Sequence, residues 1–184
     1  MQQAPSARWP ALRSLALTAT CVAALASGCT SVATPTAGQV FSGRLAVSVS
    51  GQPDRSFSAG FDLSGSARQG ELLLTGPLGT TAARAHWAPG LAELSTTQGN
   101  TRHANLDAMA EQALGQPIPM AALFDWLKGR PWPEAPAAVL ADGQPGFEQL
   151  GWRVSLSRLT EGWLDATRSA PPSVQVRIRL TTPD

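Results

Sequence analysis

Apolar and polar residues alternate along much of the chain, and the alternation is regular from residue 41 onward. Over 41–49 the apolar side chains fall on one face while serine and arginine fall on the other, which is the pattern of a half-buried strand. Further strand segments follow at 57–63, at 71–75, which is apolar on both faces, and at 80–87 and 91–96, and turns rich in glycine and proline separate them. This even spacing predicts an antiparallel meander of strands.

The hydrophobic period changes to that of a helix in the middle of the chain. A short helix is predicted at 106–114, because Asn105 can cap its N-terminus and Gly115 lies beyond its end. A second helix is predicted from Pro119 to Lys128, since proline suits the first helical position. Strand patterns then resume at 147–150, 152–159 and 174–180.

The order of strands, two short helices and further strands predicts a mainly β fold. It fits a curved antiparallel sheet, an incomplete barrel, with the helices packed on its concave face. Such a half-barrel with a helical lid encloses an apolar space.

Composition and motifs argue against nucleic-acid binding and against catalysis. The 14 basic residues nearly balance the 13 acidic ones, so the chain lacks the charge excess that holds a nucleic-acid backbone. The 2 Cys and 2 His cannot form a Cys/His zinc site without carboxylate help, and His86 and His103 have no ligand-like partner at i+4. No nucleotide-binding loop or nucleophile elbow occurs. We expect no catalytic residue, metal or cofactor; an enzyme with an unrecognised site is the weaker alternative.

Residues 1–28 have the pattern of an export signal. Arg8 and Arg13 precede an apolar stretch, 14–28, that ends in small residues directly before Cys29, an arrangement typical of such signals. The stretch is too short for a membrane span, which needs about 20 apolar residues. One interpretation is a plain secretory signal in which the cysteine is accidental.

The other interpretation rests on the end of this segment, Leu-Ala-Ser-Gly-Cys, which resembles the bacterial lipoprotein box, although Ala26 stands where leucine is usual. The resemblance implies that the signal is cleaved before Cys29 and that this cysteine carries acyl chains. Thr30, at the place where aspartate would retain a lipoprotein in the inner membrane, implies release to the outer membrane. Residues 29–39 are then a lipidated cysteine with a flexible tether, and 40–184 form the folded domain.

An apolar residue lies at the tip of a predicted turn. In Gly76-Pro77-Leu78-Gly79 the proline and the second glycine favour a tight type I turn, which puts Leu78 where polar residues are usual. Its side chain either folds back on its own sheet or inserts into something apolar. Burying one leucine contributes about 1.5–3 kcal/mol, enough to bias a transient contact but too little to anchor a protein.

Three stretches together resemble the LolB family, the outer-membrane lipoprotein receptors of Gram-negative bacteria. They are the lipoprotein box at Cys29, the strand-turn-strand 72–81 and the run 115–131, whose Pro-Ile-Pro…Leu…Trp-Leu…Gly…Pro spacing is the most specific. The resemblance extends over about 41–159. It implies an incomplete antiparallel barrel with a helical lid, near 119–128, over a hydrophobic cavity.

The resemblance also implies a function and its partners. A protein of this family would accept acylated lipoproteins from the periplasmic carrier LolA and place them in the inner leaflet of the outer membrane. It would act as a lipid-anchored monomer on the periplasmic face, in contact with outer-membrane phospholipid. Leu78, with Pro77 and Gly79, matches the family's protruding membrane-transfer loop. Transfer needs no nucleotide if the receptor's cavity binds acyl chains better than the carrier's cavity does.

Apolar residues of the strands and the lid are the candidates for lining the cavity. Because each buried methylene is worth about 0.8 kcal/mol, acyl chains have to be shielded from water during transfer. For each candidate the alternative is an ordinary place in the core. The candidates are Phe57, Phe61, Leu72, Leu74, Trp87, Ile118, Leu123 and Trp126.

Two questions stay open at this stage. Beyond Trp163 only 174–180 reads as a clear strand, where the family has room for more, so the sheet is either a strand short or closed differently at its edge. The second question is the function, because a structural or assembly lipoprotein could bind a protein partner through a similar half-barrel. Ordered hydrocarbon or a large dry cavity beneath the helices favours the receptor, and a filled core with an exposed apolar groove favours the alternative.

Overall fold

The computed structural model describes residues 39–181, which form an open antiparallel sheet and two short helices. The predicted signal and nearly all of the predicted tether lie outside the described residues. The helices are α1 (Leu106–Leu114) and α2 (Met120–Trp126). The strands of the described part are β1 (Gln39–Val49), β2 (Phe57–Gly65), β3 (Gly70–Thr75), β4 (Thr81–Ala88), β5 (Leu91–Thr96), β6 (Gly99–His103), β7 (Ala137–Val139), β8 (Gly146–Gln149), β9 (Trp152–Ser155), β10 (Trp163–Arg168) and β11 (Val174–Leu180).

The first and last strands lie side by side in the middle of the sheet. The strand order is β6-β5-β4-β3-β2-β1-β11-β10-β9-β8-β7, and β1 pairs with β11 from Gly43 opposite Leu180 to Val49 opposite Val174. Two meanders, one before the helices and one after them, are joined in this way. β6 and β7 are the two edges of the described sheet, which therefore stays open. The predicted incomplete antiparallel barrel is confirmed.

Two glycines allow close approaches that a side chain would prevent. A Cβ on Gly43 would lie 2.0 Å from the carbonyl oxygen of Arg179, so glycine permits β1 to pair with β11 there. A Cβ on Gly70 would lie 2.6 Å from Cζ2 of Trp87. The indole can therefore lie against β3, and its Nε1 donates to the carbonyl oxygen of Ser66 at 2.9 Å.

Two polar side chains at the start of α1 cap the N-termini of both helices. In α1 the side-chain oxygen of Asn105 accepts from the N–H of Ala108 at 2.8 Å, as the sequence predicts. In α2 the cap comes from α1, because Oδ1 of Asp107 accepts from the N–H groups of Met120 at 2.9 Å and Ala121 at 3.3 Å. The positive end of the helix dipole also stabilises a carboxylate at this position. The two helices are thereby tied together.

A buried glutamine attaches α2 and the segment after it to the C-terminal strands. Gln149 in β8 is only 2% exposed. Its Oε1 accepts from Nε1 of Trp126 and from the N–H of Trp132, both at 2.9 Å. Its Nε2 donates to the carbonyl oxygens of Trp132 at 2.7 Å and Ala135 at 2.8 Å. Every donor and acceptor of the amide is used, so its burial carries no unpaired polar group.

Aromatic contacts fix α2 to strands on both sides of the concave face. Phe124 meets Trp87 of β4 edge-on, with ring centroids 6.0 Å apart. Trp126 packs against Phe147 of β8 at 6.3 Å and Trp152 of β9 at 6.2 Å. α2 therefore bridges the two meanders across the curved sheet.

Several element boundaries differ from those predicted. β6, β7 and β10 were not predicted, because β6 is polar, β7 is very short, and β10 buries only Leu164 and Ala166 among polar neighbours. The helix predicted to Lys128 ends at Trp126, and the strand predicted to end at residue 159 ends at Ser155. Since β10 lies between β9 and β11, the sheet is not short of a strand there.

The turn between β8 and β9 contains a leucine in the left-handed region. Leu150 has a φ of +54° and Gly151 a φ of +76°, and Gln149 pairs with Trp152 on either side of them. A two-residue hairpin of this kind favours Asn-Gly, because both positions need positive φ. Leucine in this conformation costs about 1–2 kcal/mol.

Replacing Gln149 with leucine is expected to lower the free energy of unfolding by about 3 kcal/mol or more. The change leaves an indole N–H, a backbone N–H and two carbonyls without partners, and each buried unpaired group costs about 1–3 kcal/mol. Urea unfolding followed by tryptophan fluorescence measures the difference. Glu148→Gln, at the exposed neighbouring position, is the control. Equal stability of the Gln149→Leu variant and the control would contradict the anchoring role.

Replacing Leu150 with asparagine is expected to raise the free energy of unfolding by about 1 kcal/mol, since asparagine tolerates the left-handed conformation better. The same unfolding experiment measures it. Gly151→Ala, which places a Cβ at positive φ in the same turn, should have the opposite effect. A loss of stability with asparagine would show that the half-exposed leucine side chain contributes more by packing than its backbone strain takes away.

Candidate functional site

An apolar cavity lies between α1 and the concave face of the sheet. Strands β1 to β5 and β11 form one wall, and α1, the segment after it and the first part of α2 form the other. Every residue that lines the cavity is apolar, so no titratable side chain belongs to its wall. Its volume is about 100 Å³, and apolar cavities of this kind stay free of water.

The structure brings five of the eight predicted cavity residues together around this space. They are Phe57, Leu72, Leu74, Ile118 and Leu123. They come from β2, β3, the segment between the helices and α2, so residues far apart in the chain share one wall.

The other three candidates lie in the packed core beside the cavity. Phe61 is buried on the concave face. Trp87 packs on Phe124, and Trp126 packs against aromatic side chains of β8 and β9. Both indole N–H groups donate within the protein, to Ser66 and Gln149. These three residues are buried in the core and do not line the cavity.

Small residues that were not among the predicted cavity residues leave the space open. Ala83 and Ala85 of β4 lie directly opposite Leu74 and Leu72 of β3, and all four line the cavity. On the helix side α1 contributes two more alanines, together with Met109 and Leu114. The sequence contained a sign of these alanines, because the alternation of β4 puts Ala83 and Ala85 on the same face as Trp87.

Ionisable groups lie away from the cavity. Between residues 39 and 181, no three His, Cys, Asp or Glu side chains are grouped so that they could hold a metal ion. The backbone N–H of Gln144 and then the side chain of Arg153 donate to Asp142 and lower the pKa of its carboxyl, but Asp142 does not line the cavity. No helix in the same part of the chain has both the length and the apolar character needed to cross a membrane.

The hairpin between β3 and β4 presents Leu78 to solvent. The N–H of Gly79 donates to the carbonyl oxygen of Gly76 at 3.0 Å, and the N–H of Gly76 donates to that of Thr80 at 2.8 Å. Gly79 has a φ of +75°, so these contacts are typical of a three-residue hairpin loop that ends in a left-handed glycine. Leu78 is 91% exposed. The interpretation in which it folds back on its own sheet is therefore wrong.

The strands of this hairpin also belong to the cavity wall. Leu74 is two residues before the loop begins at Gly76, and its cross-strand partner is Ala83. Both side chains line the cavity. The exposed leucine thus lies only a few residues beyond the apolar lining.

The structure is thus an open half-barrel with an apolar cavity beneath its helices, next to a hairpin with an exposed leucine. A sequence model of the family described as "Outer membrane lipoprotein LolB" matches residues 39–183 of this chain. The chain belongs to the LolB family, as its resemblance indicated.

Individual relatives agree with the family model. The protein "Outer-membrane lipoprotein LolB" of Bordetella petrii is 39% identical over 176 residues, which cover 87% of this chain and 88% of that protein. The protein of the same name from Bordetella pertussis is 39% identical over 170 residues, with 86% and 85% covered. That of Chromobacterium violaceum is 30% identical over 117 residues, with 64% and 62% covered.

Proposed function

We propose that this protein accepts acylated lipoproteins from a LolA-type periplasmic carrier and places them in the inner leaflet of the outer membrane. Membership of the LolB family carries the coarser statement, that the chain is an outer-membrane lipoprotein receptor. The finer proposal adds that it acts as a monomer on the periplasmic face, held there by acyl chains on Cys29, and that it holds its cargo by the acyl chains.

The observation that carries the proposal is the wholly apolar cavity beneath α1. A dozen methylene groups moved from water into such a site gain roughly 10 kcal/mol, at about 0.8 kcal/mol each. Acyl chains therefore pass from one protein to another only if each protein shields them. Acyl chains exchanged between two apolar cavities move to the one that binds them more tightly, and this exchange needs no nucleotide.

The cavity has to widen to hold this cargo. Its volume of about 100 Å³ is smaller than the roughly 150 Å³ of an engineered apolar cavity that accommodates one benzene. α2 is fixed on both sides by Phe124 and Trp126, whereas α1 covers the unfilled space. Displacement of α1 from the sheet, which would release the cap that Asp107 gives to α2, is the motion proposed to admit acyl chains.

The hairpin with Leu78 is proposed to deliver the cargo to the membrane. An exposed leucine gains about 1.5–3 kcal/mol on entering hydrocarbon. Insertion of Leu78 brings the apolar wall at Leu74 and Ala83 close to the lipid, because these residues lie directly behind the loop. Pro77 and Gly79 hold the leucine at the tip of the loop.

The experiment that tests the function is transfer of a labelled lipoprotein from the carrier to this protein, and then to phospholipid vesicles, in the absence of nucleotide. Complete transfer in both steps supports the receptor. Failure of the wild-type protein to accept cargo in the first step would refute the proposal. Tight binding of another protein without any acyl exchange would favour the assembly lipoprotein.

Replacing Leu78 with glutamate is expected to reduce delivery into vesicles about tenfold or more, because a leucine that would enter hydrocarbon is replaced by a charged side chain. Acceptance from the carrier and thermal stability should stay at wild-type levels. The two transfer steps are measured separately. The control is Val139→Glu on the edge strand β7, where an apolar side chain is similarly exposed, at 86%. Equal delivery by both variants would contradict the role of Leu78.

Replacing Ala83 with phenylalanine is expected to fill the cavity and to lower acceptance of lipoproteins from the carrier about tenfold or more. The half-buried position tolerates added volume better than a fully packed one, so the loss of stability should stay within about 1–3 kcal/mol. Ala138→Phe, at an exposed position of β7, is the matched control. Binding of a fluorescent fatty acid gives a second readout. Wild-type acceptance by Ala83→Phe would contradict the assignment of this cavity as the acyl site.

A further inference from the structure

Two arginines face each other across adjacent strands in the middle of the convex side of the sheet. Arg44 of β1 is directly opposite Arg179 of β11, and both side chains are exposed. Their neighbours Leu45 and Ile178 line the cavity on the other side, so alternation places both arginines on the outer surface. Like charges directly opposite each other destabilise a sheet.

Elsewhere on this outer surface, arginines are matched with acids. Arg102 lies opposite Glu93, with Nε and Oε1 at 2.6 Å, and Arg177 lies opposite Asp165, with Nε and Oδ1 at 2.9 Å. Among residues 39–181, neither member of the opposed arginine pair forms an ion pair with an acidic side chain. The pair therefore stands out as a local concentration of unmatched positive charge.

The acidic groups nearest to the pair do not neutralise it. Asp62 of β2 lies diagonally across from Arg44, since it pairs with Ser42, but it makes no ion pair with either arginine. The carboxylates of Asp165 and Glu161 are already bound by Arg177 and Arg158. Directly beside Arg44 on β2 is Gly60, which adds no side chain next to Arg44.

Trp163 lies beside the two arginines, and the three side chains of Arg44, Arg179 and Trp163 are called the patch below. Trp163 of β10 pairs with Arg179, and the two guanidinium carbons of Arg179 and Arg158 lie 5.3 Å and 4.9 Å from the centre of its ring. The indole is half-buried. Tryptophan flanked by arginine is the combination found where a protein meets the headgroup layer of a membrane.

The patch lies in the same row of the sheet as the base of the Leu78 hairpin. Arg179 pairs with Arg44, Arg44 with Gly60, and Gly60 with Thr75, after which the loop begins. Adjacent strands are about 4.8 Å apart, so Arg44 lies roughly 10 Å from Thr75 along this row. A surface that meets lipid through the hairpin would bring this patch near the same lipid.

We propose that Arg44 and Arg179 bind the phosphate of a phospholipid headgroup, with Trp163 at the interface, when the protein delivers its cargo. The inference rests on the proposed function. Arg44 and Arg179 are directly opposed in the sheet, so their guanidinium groups can turn toward one phosphate and each donate paired hydrogen bonds to it, which removes the repulsion between them. The two arginines lie in the same row of the sheet as the base of the hairpin, on the face opposite the helices. This position favours contact with lipid over contact with an acidic surface of the carrier.

The test uses the full-length, lipid-anchored protein, labelled with ¹³C at the guanidinium carbon of arginine and reconstituted into phosphatidylethanolamine–phosphatidylglycerol vesicles. Solid-state dipolar dephasing between ¹³C and ³¹P detects arginine in contact with lipid phosphate. We expect dephasing in the wild type, its loss in Arg44→Gln/Arg179→Gln, and its retention in Arg84→Gln/Arg102→Gln. The control removes the same charge from the same convex surface.

A second readout is the rate of lipoprotein delivery into the same vesicles. The Arg44→Gln/Arg179→Gln variant should deliver about fivefold more slowly for each arginine removed, the factor corresponding to roughly one cation at an anionic membrane surface. Equal dephasing in the wild type and in this variant would overturn the proposal.

Further samples distinguish the lipid headgroup from inorganic phosphate and from the carrier. Dephasing of equal size from inorganic phosphate, with vesicles of galactolipid, would show a general anion site and overturn the headgroup assignment. Loss of carrier-to-receptor transfer, with no phosphorus contact in any sample, would assign the patch to the carrier instead. Because the phosphorus contact is measured without any lipoprotein, its failure is distinct from a failure of the wild type to accept cargo.

Discussion

The hydrogen bonds of the buried amide of Gln149 determine where the helices lie, and with them the cavity. An open sheet exposes its concave face, and helices as short as these are not stable without packing. Gln149 binds the indole of Trp126 and the backbone after α2, so α2 is held across the sheet. α1, joined to α2 through the cap from Asp107, then lies over β5 and β6 with unfilled space beneath it.

In the proposed function, holding and releasing a hydrophobic ligand use the same part of the sheet. Leu74 and Ala83 form the cavity wall, and the hairpin that they begin ends in Leu78. Opposing a leucine with an alanine across two strands leaves a gap, and a dry gap lined by hydrocarbon is a site for hydrocarbon. In the proposed function, the exposed leucine beyond it meets lipid, where its burial contributes about 1.5–3 kcal/mol.

Much of the architecture could be predicted because alternation of apolar and polar residues is local. The strands from β1 to β5, α1 and the closing strand β11 all follow from it. β6 and β10 could not be found in this way, since their residues acquire a buried face only through their neighbours in the sheet. The sequence also did not show that Trp87 and Trp126 pack in the core beside the cavity. Apolarity shows that a side chain is buried, but it does not show whether packed side chains or a cavity surround it.

The sequence by itself determined the family, the open antiparallel sheet, the first helix and the leucine at the tip of the β3–β4 turn, because each depends on residues close together in the chain. Only the tertiary structure decided which apolar residues face the cavity and that Leu78 points into solvent. It also decided that Arg44 and Arg179 face each other. These are pairings between distant segments, and the register between β1 and β11, strands more than a hundred residues apart, is set by the packing of the whole sheet.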